Sequence, residues 1–159
     1  MNIPIFERPA DLRRSIEVLL AEDNPGDVRL TRDALSGSRM RINLNVAANG
    51  EEALAYLRRQ GKYAEAPRTQ LLLLDLNMPK KDGREVLVEM RKDPGLDCIP
   101  VVVLTTSEAE EDIVRSYKLH ANAYISKPTY ADQFTTVVKS IEEFWMNVAK
   151  LPPHCGRQK

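Results

Sequence analysis

The sequence predicts a parallel α/β fold: a doubly wound, five-stranded sheet with helices on both faces. Three observations predict it. Short apolar runs alternate with amphipathic stretches five times along the chain. The runs Leu71–Leu74 and Val101–Leu104 are continuously apolar, the pattern of strands buried on both faces. The length, 159 residues, suits a single core and leaves no room for a second effector domain.

Taken in order, Ile16–Ala21 (IEVLLA) is a short buried strand. Asn24-Pro25 then supplies an N-cap residue and a proline at the first helical position. Val28, Thr31, Ala34 and Leu35 mark one face of the helix that runs up to Gly37. Ile42–Ala48 alternates and forms the second strand. Gly50–Arg59 is helical, with Ala53, Leu54 and Leu57 on one side. Gln70–Leu76 is the third strand, followed by a helix over Gly83–Lys92 showing Val86, Leu87 and Met90. Ile99–Thr105 is the fourth strand. Glu108–Leu119 is a helix whose acidic first turn suits the macrodipole. Ala123–Ser126 is a short fifth strand. In the last helix Phe134, Val137, Val138, Ile141, Phe144, Trp145 and Val148 keep a helical period. The boundaries are an N-terminal tail over 1–14, one domain over 15–148 and a C-terminal arm over 149–159.

Composition narrows the function. Lys plus Arg number 23 and Asp plus Glu number 23, so the chain lacks the positive surplus of a nucleic-acid binder. No apolar run approaches the roughly 20 residues of a membrane span, and the N-terminus has no secretory core. Cys98 and Cys155 lie far apart with no CxxC spacing, and are expected as two free thiols in a reducing cytoplasm.

In an open parallel sheet, function gathers at the carboxyl ends of the strands. Glu22 and Asp23 follow the first strand, Asp75 the third, Thr105, Thr106 and Ser107 the fourth, and Lys127-Pro128 the fifth. Singly, each is an ordinary loop residue: a solvated acid, a turn-forming threonine, a surface lysine. Together they supply one reaction. Clustered carboxylates hold a hard divalent cation such as Mg²⁺. A carboxylate also attacks phosphorus to give an aspartyl phosphate. Phosphoryl transfer then asks for positive charge and a hydroxyl donor.

With Glu22-Asp23, Asp75 in LLLLDLNMPKKDG, Thr105 and Lys127-Pro128, the chain resembles the receiver domain of two-component response regulators over roughly residues 15–148. The gaps of 30 residues from Asp75 to Thr105 and 22 from Thr105 to Lys127 fit that family. The resemblance implies a flavodoxin-like strand order 2-1-3-4-5. It implies that Asp75 is phosphorylated by a partner histidine kinase. It further implies Mg²⁺ on Asp23, the Asp75 carboxylate and the Asn77 main-chain carbonyl, with Glu22 acting through water. Thr105 and Lys127 would contact the phosphoryl oxygens, and Tyr124 would be an aromatic switch. Asn77 and Ser107 would flank the phosphoryl group, and Lys127-Pro128 would be a cis peptide. A glutamate at position 22, where aspartate is commoner, departs only slightly from the family pattern.

The stretches LRRQGKYAEAPRTQ and KKDGREVLVEMRKDPGLDCIPVVVLTTSEAEEDI, with EEFW closing the last helix, resemble stand-alone regulators that accompany phytochrome photoreceptor kinases. That branch implies a homodimer built on the fourth and fifth helices and the C-terminal arm. Phe144 and Trp145 are consecutive, cannot share one narrow stripe, and are the candidate dimer residues; the alternative is that both cap the domain's own core. Other functions fit less well. A haloacid-dehalogenase-type hydrolase needs DxDxT, but Asp75 is followed by Leu76-Asn77-Met78-Pro79. A flavin site needs a hydroxyl- and glycine-rich loop where this chain has the acidic EDNPGD. A receiver for a different sensor kinase, a phosphate sink and a degenerate interaction module complete the alternatives. The last would not need every pocket position filled.

Overall fold

A computed structural model describes residues 15–153 and Cys155; the predicted tail over 1–14, and the rest of the arm, lie outside them. Among the described residues five strands form one sheet: β1 (Ser15–Ala21), β2 (Arg41–Ala47), β3 (Leu71–Leu74), β4 (Val101–Thr105) and β5 (Ala123–Ser126). Every pairing is parallel and the order is β2-β1-β3-β4-β5, as the resemblance implied. Burial explains the order. Every residue of β3 and β4 is buried, so these strands belong in the middle, whereas the edge strands β2 and β5 are largely half-exposed.

Among the described residues five α-helices cover the faces: α1 (Pro25–Ser36), α2 (Gly50–Arg58), α3 (Gly83–Lys92), α4 (Glu110–Lys118) and α5 (Ala131–Glu142). Side-chain caps start three of them. Asn24 accepts from the Asp27 amide at 3.1 Å and Asn49 from the Glu52 amide at 2.9 Å, and Asp82 and Glu85 form a reciprocal capping box. On one face of the sheet α2 and α3 bury Ala53, Leu54, Leu57, Val86, Leu87 and Met90. On the other, α1 and α5 bury Ala34, Leu35, Phe134, Val138 and Ile141.

Three expectations need correction. The third and fourth strands are shorter than their apolar runs. Gln70 completes the β1–β3 pairing with its side chain, accepting from the Glu17 amide at 3.0 Å, while Ile99 closes a turn on the Leu96 carbonyl at 3.1 Å. The last helix changes register: Glu143–Val148 is a π-helical turn, with the Ala149 amide donating to the Phe144 carbonyl at 2.7 Å. The wider turn brings Met146 into the core, a residue outside the predicted stripe, and leaves Phe144 and Val148 exposed. Finally, Cys98 and Cys155 are bonded to each other rather than free. The arm folds back, placing Leu151 against one apolar layer and Cys155 in the other. The two Cα atoms end 5.5 Å apart, within reach of a disulfide. No sequence spacing signals a contact across 57 residues.

Candidate functional site

The carboxyl edge of the sheet collects the predicted residues. The ladder that pairs β1 with β3 continues one step past β3, through the Asp75 amide to the Ala21 carbonyl at 3.0 Å, and so fixes the Asp75 backbone. Gly83 lets α3 start directly beneath it: a Cβ there would meet the Asp75 carbonyl oxygen at 2.3 Å. Gly50 allows a similar approach on the neighbouring side, where a Cβ would lie 2.2 Å from the Lys81 carbonyl oxygen. These two glycines hold the loop from Asp75 to Asp82 close to the helices beside it.

Lys127 is the hub. Its Nζ donates to Glu22 Oε1 at 2.5 Å, Asp27 Oδ2 at 2.9 Å and Asp75 Oδ2 at 2.9 Å. The Lys127 side chain is only 5% exposed, Glu22 and Asp75 are buried, and Thr105 is fully buried at the end of β4. Burial pushes the Glu22 carboxyl above its usual range, against the pull of the Lys127 hydrogen bond and with the Asp75 charge adding to the rise. Burial disfavours the Lys127 charge, but hydrogen bonds to Glu22, Asp27 and Asp75 outweigh it, and the ammonium is held more firmly than usual. The other Asp75 oxygen, Oδ1, accepts from the Asn77 amide at 3.2 Å.

Glu22, Asp23 and Asp75 each offer a carboxylate oxygen, and these oxygens lie within 4.8 Å of one another. An all-oxygen set with exposed Asp23 at its mouth fits a hard divalent cation that keeps part of its water shell. The Lys127–Pro128 peptide is trans, since no described peptide bond is cis; that expectation is corrected. The lysine reaches the pocket through its long side chain instead.

Tyr124 lies over the loop after β4, its hydroxyl donating to the Ser107 carbonyl at 2.9 Å. Phe144 and Trp145 are not part of this edge. They lie beyond the end of α5 and contact each other edge-on at 5.2 Å, with Phe144 exposed and Trp145 packed on the core.

Sequence reasoning missed three residues. Asp27 is an acid in the first turn of the helix that leaves the pocket, and its place in EDNPGD was the available signal. Arg84 and Asp112 pair across 28 positions, for which there was no local signal.

A family model described as the response regulator receiver domain matches residues 18–139. The chain belongs to this receiver family. Response regulator Rcp1 of Synechocystis sp. is 46% identical over 135 residues, covering 85% of this chain and 92% of that protein. The crystal structure of a phosphorylated cyanobacterial phytochrome response regulator, RcpA, shares 51% identity, covers 87% of this chain and 99% of that one, and superposes with a TM-score of 0.85. The Mn²⁺-bound form of Rcp1 shares 45% identity at a TM-score of 0.84, covering 86% and 99%. The receiver fold, its place in two-component phosphorelay signalling and the likeness to phytochrome response regulators follow from these matches. Among the described residues no helix is long and apolar enough to cross a membrane.

Proposed function

We propose that this receiver is a signalling phospho-acceptor rather than an enzyme with a separate substrate, phosphorylated on Asp75 by a phytochrome-type histidine kinase in the cytoplasm. The observation that carries the reading is the Asp75 carboxylate itself. It is buried at a strand end, bonded to the Lys127 ammonium at 2.9 Å, and grouped with the Glu22 and Asp23 carboxylates.

An Asp75 oxygen attacks the phosphorus of the kinase's phosphohistidine. The P–N bond breaks with its electron pair on the imidazole, and a P–O bond forms. Lys127 supplies a fixed positive charge beside the accepting carboxylate, and Thr105 supplies a hydroxyl from the adjacent strand. Asp23, Asp75 and the Asn77 main-chain carbonyl would hold Mg²⁺, with Glu22 acting through water. The ion, when bound, neutralises charge on the phosphoryl oxygens. Tyr124 reports the change through the Ser107 loop. Output is by protein contacts, not DNA, from a homodimer that includes Phe144, Trp145 and the arm. The Mn²⁺-bound and phosphorylated states named for Rcp1 and RcpA support the cation and the acceptor.

The test is incubation with acetyl phosphate, and separately with a phosphorylated phytochrome kinase, with and without Mg²⁺. An acid-labile, hydroxylamine-sensitive phosphate that needs Mg²⁺ and vanishes in Asp75→Asn is expected. Labelling that persists in Asp75→Asn overturns the assignment. Asp23→Ala is expected to weaken Mg²⁺ binding first, and Lys127→Ala to impair the response to phosphorylation more than Mg²⁺ binding. Sedimentation that shows only monomer, phosphorylated or not, overturns the dimer.

A further inference from the structure

We propose that Arg84 and Asp112 form a latch that positions the loop after β3 and ties it to the loop after β4. The inference rests on the phospho-acceptor reading, because the loop after β3 carries the Asn77 carbonyl assigned to Mg²⁺.

Arg84 stands in the first turn of α3. Its Nε and Nη2 donate to the two oxygens of Asp112, in the first turn of α4, at 2.7 and 2.6 Å. This two-point pairing fixes the plane of the guanidinium, which a single bond would not. The remaining nitrogen is thereby aimed at the pocket loop: Nη1 donates to the Leu76 carbonyl at 3.3 Å and to the Asn77 side-chain oxygen at 3.5 Å. One planar group therefore grips both residues that follow Asp75.

Asp112 carries a second connection. Ser107 Oγ donates to its Oδ2 at 2.6 Å, and the Ser107 carbonyl accepts from the Tyr124 hydroxyl at 2.9 Å. A continuous polar chain thus runs from Asn77 through Arg84, Asp112 and Ser107 to Tyr124. It is shielded enough to resist screening, with the Arg84 and Asp112 side chains 24% and 12% exposed. The hydrogen bonds it receives, two from Arg84 and one from Ser107, keep Asp112 ionised well into acid.

The geometry has a functional consequence. A displacement of Ser107 pulls on Asp112 and, through the rigid guanidinium, on the Leu76–Asn77 backbone. Coupling of this kind is reciprocal in binding free energy, so the position of the Ser107 loop after β4 and the affinity for Mg²⁺ bias each other. Arg84 and Asp112 are positioning residues; they act through Asn77 and Ser107.

The test measures Mg²⁺ affinity by calorimetry and, after acetyl phosphate labelling, the lifetime of the phosphoprotein. The proteins are the wild type, Arg84→Met, Arg84→Lys, Asp112→Ala and the Arg84→Met/Asp112→Ala double variant. Removing a group that orients a ligand-bearing loop is expected to weaken Mg²⁺ about tenfold in Arg84→Met. Arg84→Lys recovers part of the loss, because a single ammonium cannot make the two-point pairing. The double variant binds Mg²⁺ no more weakly than Arg84→Met, since Asp112 acts through Arg84. Wild-type Mg²⁺ affinity in Arg84→Met, or fully additive losses in the double variant, overturns the latch. If Arg84→Met melts below the assay temperature, the near-isosteric Asp112→Asn takes its place, with the same expected direction and the same overturning result. A wild type that takes no label refutes the phospho-acceptor reading instead, and is recognised by the absence of labelling before any variant is compared.

Discussion

α3 and α4 are of nearly equal length, 10 and 9 residues, and both are amphipathic in sequence, yet they are held in opposite ways. α3 starts in a capping box, abuts the Asp75 backbone through Gly83, and buries Val86, Leu87 and Met90. α4 has no side-chain cap, buries only Ser116, and leaves Val114 and Tyr117 about half exposed. Polar contacts at its two ends fix its place: Asp112 to Arg84 and Ser107 at the start, and the Tyr117 hydroxyl accepting from the Tyr124 amide at 3.2 Å near the finish. Apolar burial makes α3 part of the frame. Directional bonds, which break singly and re-form elsewhere, make α4 an element that can answer to its neighbours.

The largest expected effect comes from attacking the frame. Leu87→Ala removes a fully enclosed side chain and should destabilise the protein by about 3 kcal/mol in urea unfolding. A loss below about 1 kcal/mol would mean that α3 is no better anchored than α4. A smaller effect appears in acid. Hydrogen bonds from Arg84 and Ser107 lower the Asp112 carboxyl from 3.8 to about 2. A carboxyl lowered in the folded state adds stability above its unfolded value and loses it as pH falls through the folded value. The stability gap between the wild type and Asp112→Ala should therefore be constant above about pH 4 and close between about pH 4 and pH 2. A gap that persists at pH 2 would show that the pair contributes little. The smallest effect is Val114→Ala on the exposed face of α4, expected within about 0.5 kcal/mol of the wild type. Native-state hydrogen exchange would sharpen the contrast, with amides of α4 opening well before those of α3.

The same division explains what the sequence could reveal. Burial on both sides of LLLL and VVVLT leaves a period-free apolar run that is visible without coordinates. A doubly wound sheet also sends the residues that end or follow each strand to one edge, so Glu22, Asp23, Asp75, Thr105 and Lys127 were legible from order alone. Contacts decided by side-chain reach were not. Asp27 meets Lys127 across 100 positions and Arg84 meets Asp112 across 28, with no periodicity to announce either. The Cys98–Cys155 bond depends on the course of the arm, and Met146 depends on a π-helical turn that shifts the register after Ile141.

The central claim is that Asp75 is the residue that receives phosphorus. Borohydride reduces an acyl phosphate to the corresponding alcohol and leaves free carboxylates untouched, so it marks the acceptor covalently. The labelled protein should be reduced in this way and its peptides mapped. The modification is expected at Asp75 alone, only after phosphodonor and Mg²⁺ have been supplied together. Modification at Asp23, Asp27 or Glu22, or none at Asp75 in a protein that carries label, would contradict the account.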